Sequence, residues 1–420
     1  MKTPRTFSGR VLVTAAVAAL VLSGCRGGAP GGGGGEGGGA ANVPGITDDT
    51  IVIGATAPLS GPVSANGTAA VGGYKAYFKQ VNAEGGVKMS DGKTRKIKYV
   101  YYDDGYDPSR AVQNYKRLVN QDHVFAIAPT FGTPTSLAVM KLANKDKVPQ
   151  IFVHTGDGTF SEDQKTNPWT IGWAPTYEDE GKAYGEFLSN KGKKVTVAVL
   201  RQNDDLGAAY LRGFKKAIEG SKVKIVAQQT YEPTDPTVES QINNLAKSHA
   251  DVLYLAVSVT KLAANALVHA REIGWHPTPL IIRLSSSIYQ VIKPAGMMKA
   301  DNLYSAAFTK LADNPKAQSD PEVKKFAASM KKYAPDANPK VPNAAWAYAA
   351  ASTLVDALKQ MKPISRKGLM DAVHQIHPQN IPMVLPGVTY DPSSRTEPPV
   401  HGLRLMRFKN GQWNLLQTQQ

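Results

Sequence analysis

The residues that could carry out chemistry are scattered and do not form an enzyme signature. The chain has no Gly-x-x-x-x-Gly-Lys-Ser/Thr phosphate loop, no Gly-x-Gly-x-x-Gly after its first predicted strand, and no Gly-x-Ser-x-Gly turn around a nucleophile. It has one cysteine and no His-x-x-x-His pair to hold a metal. We therefore expect no catalytic activity, no cofactor and no metal site.

Two further groups of titratable residues have simple explanations. The eight histidines are scattered, and we expect the close pair His374 and His377 at the surface. The adjacent carboxylates Asp103-Asp104 and Asp204-Asp205 each follow a predicted strand and precede a predicted helix. A carboxylate in that position caps the helix N-terminus, so we expect these pairs to cap helices rather than to catalyse.

Small polar residues are concentrated where the predicted strands end, which is where ligands bind in open α/β sheets. Ser, Thr and Gly in such loops place hydroxyls and backbone N–H groups at helix N-termini, which favours a carboxylate or another acceptor. Ordinary turn chemistry explains each loop equally well on its own. The loops are Ala57 to Pro62, Pro129 to Thr133, His154 to Asp157, Gln202 to Gly207, Ser258 to Lys261 and Ser285 to Ser287.

Alternating strand and helix patterns must position these loops. A β-branched run, Ile51 to Thr56, is followed by apolar residues at helical spacing from Val71 to Val81, and such units repeat to Val153. The alternation restarts after Trp173 and continues to Leu284. Repeated strand–helix units predict parallel sheets covered by helices, and two successive runs predict two similar α/β lobes. A final hairpin around Asn410 should complete one lobe.

The first 25 residues are predicted to be a leader rather than part of the fold. Three basic residues precede Val11 to Leu22, an apolar run too short to cross a bilayer. The run ends in Ser23-Gly24-Cys25, which resembles the lipobox of bacterial lipoproteins. That resemblance implies a diacylglycerol group on Cys25 and a membrane-anchored protein on the extracytoplasmic face. The glycine-rich stretch that follows, to residue 45, is predicted to be a flexible tether.

The net charge of +15 reflects 49 basic and 34 acidic side chains. Without the basic residues Lys2, Arg5 and Arg10 of the predicted leader, 46 basic side chains remain against 34 acidic ones, a net charge of +12. The lysines are dispersed in pairs such as Lys193-Lys194, with no arginine-rich stripe or nucleic-acid motif. We expect attraction to an anionic membrane surface and no binding of nucleic acid.

Three ordered motifs resemble those of type I periplasmic binding proteins, in particular the leucine/isoleucine/valine-binding branch that serves ATP-binding cassette (ABC) importers. They are Pro58 to Pro62, Asp103 to Ala111 and Gly132 to Ser136, and the resemblance extends over residues 46 to 417. It implies two Rossmann-like lobes joined by three crossovers, with the ligand between them. The expected lobes are residues 46–172 plus 298–380 and residues 173–297 plus 381–420.

The resemblance also implies a set of ligand-binding residues. They are Ser60, Asn66, Thr130, Phe131, Gly132, Thr133, Thr155, Gly156, Asp157, Asp204, Leu206 and Lys261. Three of them depart from the amino-acid binders: Asn66 stands near an aromatic position, Leu206 replaces a tyrosine, and Lys261 falls near the acid that pairs with the ligand ammonium. These departures predict an amide, a carboxylate or another polar solute without a free ammonium, unless Lys261 points to solvent or Asp157 or Asp204 supplies the acid.

The expected function is that of a monomeric solute receptor. Binding would stabilise a closed, hinge-bent form that the permease subunits of an ABC importer recognise. The alternative is a sensor, in which the same fold reports ligand occupancy to a signalling partner.

Overall fold

A computed structural model describes residues 43–416. The predicted leader, the lipidation site Cys25 and nearly all of the predicted tether lie outside the described residues. Within residues 43–416, no helix combines the length and the apolar composition that crossing a membrane requires.

The first sheet is mainly parallel. Its strands are β1 (Thr50–Ala57), β2 (Val87–Lys88), β3 (Thr94–Asp103), β4 (Ala126–Thr130), β5 (Gln150–Val153) and β6 (Thr170–Gly172). They lie in the order β2-β3-β1-β4-β5-β6, and only the short edge strand β2 is antiparallel to its neighbour. Strands β4 and β5 are buried along their whole length, as expected for a parallel sheet covered on both faces.

The second sheet repeats this design and adds a hairpin. The remaining strands are β7 (Val195–Gln202), β8 (Val223–Tyr231), β9 (Val252–Ala256), β10 (Thr278–Ile281), β11 (Leu303–Ala307), β12 (Thr389–Tyr390), β13 (Val400–His401), β14 (Arg404–Lys409) and β15 (Gln412–Leu415). The sheet order is β15-β14-β11-β10-β9-β7-β8, and the short pair β12-β13 stands apart. The expected hairpin is confirmed as β14 and β15, which join antiparallel to the edge of the parallel strands.

Helices cover both sheets. They are α1 (Ser64–Ala83), α2 (Pro108–Asn120), α3 (Thr133–Asp146), α4 (Thr159–Glu162), α5 (Tyr177–Ser189), α6 (Asp205–Ile218), α7 (Glu239–Ala246), α8 (Thr260–Glu272), α9 (Pro321–Tyr333), α10 (Pro342–Gln360) and α11 (Arg366–Val373). Helices α9 and α10 pack against α1, so this late part of the chain completes the first lobe. The predicted fold of two α/β lobes is thereby confirmed.

The two carboxylate pairs behave differently at the helix starts. Asp204 accepts a hydrogen bond from the Gly207 N–H and caps α6, as predicted. The prediction for Asp103-Asp104 is wrong, because Asp107 caps α2 instead. Asp103 accepts from the N–H groups of Leu59 and Ser60 and therefore fixes the loop after β1.

The lobe boundaries differ from the expected ones. Strand β11 pairs with β10 and β14, so the second lobe extends beyond residue 298 to Ala307. Tyr390 stacks on Trp173, meets Phe152 edge-on and donates a hydrogen bond to the Val373 carbonyl, so part of the segment after 381 packs on the first lobe. Strand pairing decides the first difference, and aromatic packing on the first sheet decides the second.

Candidate ligand-binding site

A small cavity lies between the two lobes, beyond the carboxyl ends of their parallel strands. Its walls come from both lobes and from helix α10. The lining residues are Val63, Asn66, Tyr106, Phe131, Gly132, His154, Tyr177, Leu206, Ser258, Leu284, Asn343 and Trp346. A second small cavity shares Leu284, Asn343 and Trp346 and adds Arg283 and Phe308. The two cavities therefore meet at one wall.

An aromatic stack forms one side of the first cavity. The ring of His154 stacks on Phe131 with centroids 5.1 Å apart, and on Trp346 with centroids 3.7 Å apart. Burial lowers the pKa of His154 to about 3, with a further contribution from the nearby Arg283 charge. The imidazole is therefore neutral at physiological pH, and the wall is flat and mostly apolar.

Polar contacts between the lobes close the cavity. The Asn66 amide of the first lobe donates a hydrogen bond to the Ser258 carbonyl of the second, at 3.0 Å. On the same side, the Tyr106 hydroxyl donates to Asp204 at 3.4 Å. Burial raises the pKa of Asp204. These bonds hold the strand-end loops of the two sheets against each other, which is a closed arrangement.

A buried ion pair supports the second cavity. Glu180 accepts hydrogen bonds from the backbone and side chain of Arg283 and from the hydroxyls of Tyr184 and Tyr210. The Arg283 guanidinium lies within 6 Å of the Trp346 ring centroid in the first lobe. Gly156 makes this approach possible, because a Cβ there would lie 2.6 Å from Arg283 Nη2.

Comparison with known proteins identifies the family. The sequence profile of the periplasmic binding proteins matches residues 50–412, most of the chain. The chain belongs to the periplasmic binding protein family. Members of this family are substrate-binding receptors and not enzymes, so the expectation of no catalytic activity agrees with the family. In sequence, this extracytoplasmic periplasmic binding protein resembles the leucine/isoleucine/valine-binding proteins.

Curated relatives carry this resemblance. The chain is 25% identical over 206 residues to the leucine-, isoleucine-, valine-, threonine- and alanine-binding protein of Pseudomonas aeruginosa, an alignment over 49% of this chain and 53% of the relative. It therefore spans about half the length of that relative. It is 22% identical over 333 residues to Leu/Ile/Val-binding protein homolog 7 of Brucella suis, covering 78% of this chain and 81% of the relative.

Two solved structures show the same fold. The fatty acid ABC transporter substrate-binding protein from Thermomonospora curvata aligns with a TM-score of 0.75 and 24% identity, over 90% of this chain and 94% of that one. The branched-chain amino acid ABC transporter protein from Thermus thermophilus, solved with bound valine, aligns with a TM-score of 0.74 and 17% identity, over 88% and 95% of the two chains.

In this periplasmic binding protein, the residues expected from the sequence separate into two groups. Asn66, Phe131, Gly132 and Leu206 line the first cavity. The others in the first lobe stand behind it. Thr130 accepts a hydrogen bond from the Gln150 amide, Thr133 and Thr155 share a bond of 2.7 Å, and Gly156 faces Arg283. Ser60 is exposed and bonded to Asp103.

The charged residues expected at the ammonium pole do not line either cavity. Lys261 is exposed in the first turn of α8, which agrees with the alternative that it points to solvent. The next residue of α8, Leu262, is buried, and Ser258 precedes the helix at the cavity wall. Asp204 is occupied as a helix cap, and Asp157 faces a separate charged groove with Glu162 and Arg212.

Several lining residues were not anticipated from the sequence. His154 belongs to an expected loop, but nothing in the sequence singles it out; it is buried, as is His374, which we expected at the surface. Trp346 and Asn343 lie on α10, whose long apolar sequence is typical of a core helix. A polar Asn at the first turn of such a mostly buried helix is the one signal that could have placed α10 at the site.

Proposed function

We propose that this periplasmic binding protein captures a small solute between its lobes and delivers it to an ABC importer. The observation that carries the proposal is the cavity lined from both lobes and closed by the bond from Asn66 to Ser258. A ligand in this cavity would hold the lobes together, and a permease can distinguish that closed form from the open one. Binding should then reduce the radius of gyration measured by small-angle scattering.

The solute lacks a free ammonium group in this proposal. Among the residues that line the two cavities in the described part of the chain, none carries a carboxylate. An ammonium would lose its hydration there without gaining a counter-charge. The support thus comes from the absence of an acid at the cavity wall rather than from Lys261. An amide, a carboxylate or another polar solute with an apolar body fits the mixed lining.

We also propose that Cys25 carries the lipid that anchors the protein on the extracytoplasmic face. A Cys25→Ala variant should leave the membrane fraction and appear as unanchored protein. A high-salt wash separates lipid anchoring from charge attraction, because salt screens only the latter. Retention of the washed variant on membranes would contradict the anchor.

An uptake experiment tests the importer role. Purified protein incubated with a small-molecule extract of the source cells should retain a solute that mass spectrometry identifies. Cells that lack the gene should lose most of their uptake of that solute, and the full-length gene should restore it. Unchanged uptake in the deletion strain would contradict the importer role and favour the sensor alternative.

A matched pair of variants links the uptake to the cavity. Leu206→Trp fills the first cavity with a larger side chain, which costs about 1–3 kcal/mol where packing is tight and should prevent restoration of uptake. Leu415→Trp makes the same change at a residue that is 42% exposed, and it should restore uptake fully. Thermal melting of both variants without ligand shows whether either is unfolded.

A further inference from the structure

Four buried polar atoms around the two cavities have no hydrogen-bond partner within residues 43–416. They are Asn66 Oδ1, His154 Nδ1, Arg283 Nε and Asn343 Nδ2. Three of the four residues line the first cavity, and Arg283 lines the second beside Asn343. Buried polar atoms in folded proteins are nearly always paired, and each unpaired one destabilises the fold. Their concentration here indicates the groups with which a ligand would form hydrogen bonds.

The neighbours of these atoms fix their hydrogen-bonding roles. The Asn66 amide nitrogen donates to Ser258, which leaves its Oδ1 as an acceptor. The neutral imidazole of His154 donates from Nε2 to Asn343 Oδ1 at 3.3 Å, which leaves His154 Nδ1 as an acceptor and Asn343 Nδ2 as a donor. Arg283 Nε–H is always a donor.

The balance of two donors and two acceptors does not depend on how the Asn343 amide is oriented. If Asn343 donates to His154 Nε2 instead, then His154 Nδ1–H becomes the donor and Asn343 Oδ1 the acceptor. The count remains two of each. A ligand that satisfies this set must therefore both donate and accept hydrogen bonds.

The site is also electrically balanced before any ligand binds. Arg283 is the charged side chain among the residues that line the two cavities in the described part of the chain, and its charge is paired with the buried Glu180. A carboxylate has no hydrogen to donate to Asn66 Oδ1, so the two acceptors would repel each other. An ammonium has no lone pair to accept from the Arg283 and Asn343 donors. Neither ion finds an unpaired opposite charge.

We propose that the cavity binds a solute with a neutral carboxamide-type group, whose N–H and C=O satisfy both kinds of unpartnered atom, attached to an apolar body that lies on the aromatic stack. This inference rests on the proposed solute-binding function and narrows its ligand class. An α-amino acid offers donors and acceptors too, but it separates them into an ammonium and a carboxylate that each need a counter-charge the cavity does not provide.

Three probes of nearly equal shape test the inference in the full-length protein: 3-methylbutanamide, 3-methylbutanoate and 3-methylbutylammonium. Isothermal titration should give a dissociation constant for the amide at least about tenfold lower than for either ion, the ratio expected when a mismatched polar group leaves a buried partner unpaired. Tighter binding of either ion, or no binding of the amide, overturns the inference.

A variant identifies the atoms involved. Asn343→Asp replaces the Nδ2 donor by a carboxylate oxygen of the same shape, so the amide should bind at least about tenfold more weakly and the ammonium probe more tightly. Asn244→Asp makes the same change at an exposed position and should alter neither constant. An unchanged amide constant in folded Asn343→Asp would overturn the role of Asn343. The uptake experiment remains independent, because an importer receptor for another solute class would still pass it.

Discussion

Two buried polar regions lie side by side in this protein, and they differ in how completely they are paired. In the second lobe, both oxygens of Glu180 accept two hydrogen bonds each, from Arg283, Tyr184 and Tyr210. At the interlobe cavity, Asn66, His154 and Asn343 each keep an atom without a partner among the described residues. A carboxylate saturated like that of Glu180 holds the fold, whereas unpartnered atoms at a cavity, Arg283 Nε among them, are available to a ligand.

The largest expected effect on stability comes from removing the charge of Glu180. Glu180→Gln leaves the buried Arg283 charge uncompensated, so the free energy of unfolding should fall by about 3–5 kcal/mol in chemical denaturation. Glu186→Gln removes an exposed partner of Lys182 four residues away on the same helix, and it should change that energy by less than about 1 kcal/mol. Equal effects of the two substitutions would contradict the structural role of Glu180.

The next effect concerns acid sensitivity. The pKa of His154 is about 3 in the folded protein because of burial, against 6.5 when exposed, so the unfolded chain binds the extra proton between these values. Burial of neutral His154 therefore costs no stability above pH 6.5. As the pH falls below 6.5, the free energy of unfolding decreases, because only the unfolded chain takes up the proton. His374, with a pKa lowered to about 4 by burial, acts in the same direction.

Substitution of His154 separates its contribution to the pH dependence of stability from that of the carboxyl groups. Burial raises the pKa of Asp104 to about 6, so Asp104 opposes the histidines between pH 3.8 and 6. We therefore compare how steeply the unfolding free energy changes between pH 6 and 5 in the wild type and in the His154→Phe variant. The unfolding free energy of His154→Phe should fall less steeply than that of the wild type, by up to about 1.4 kcal/mol per pH unit. Parallel slopes would show that His154 is charged in the fold.

The smallest expected effect on stability comes from the unpartnered residues at the interlobe cavity. The double variant His154→Phe with Asn343→Leu removes both partners of one hydrogen bond together with two unpartnered atoms, while a phenyl ring can still stack on Trp346. Its free energy of unfolding should stay within about 1 kcal/mol of the wild type. Binding of 3-methylbutanamide should nevertheless be lost. A large loss of stability would mean that these residues serve the fold.

Periodicity predicted the fold well because it depends on short-range patterns. Apolar residues at strand and helix spacing located the units from Thr50 to Ile281, and Asp204 caps α6 as expected. The short elements β2, α4 and β6 were missed, since two to four residues carry no measurable period. The role of β11 was misjudged because sheet membership depends on pairing, which periodicity does not encode.

The site was predictable only in part, for a related reason. Strand-end loops bring Phe131 and Gly132 to the cavity by topology alone. Asn343 and Trp346 reach it through packing of α10, about two hundred residues later in the chain, and no local pattern specifies that meeting. Lys261 was misplaced because its direction depends on a single position in a helical turn, which decides between the wall and the solvent.

A crystal structure with the solute retained from a cell extract tests the central claim most directly. The solute should occupy the interlobe cavity, with its apolar body against His154 and Trp346 and its polar group within hydrogen-bond distance of Asn66 Oδ1 and Asn343 Nδ2. Electron density for the solute in another groove, or a polar group that leaves those two atoms unpaired, would contradict the account.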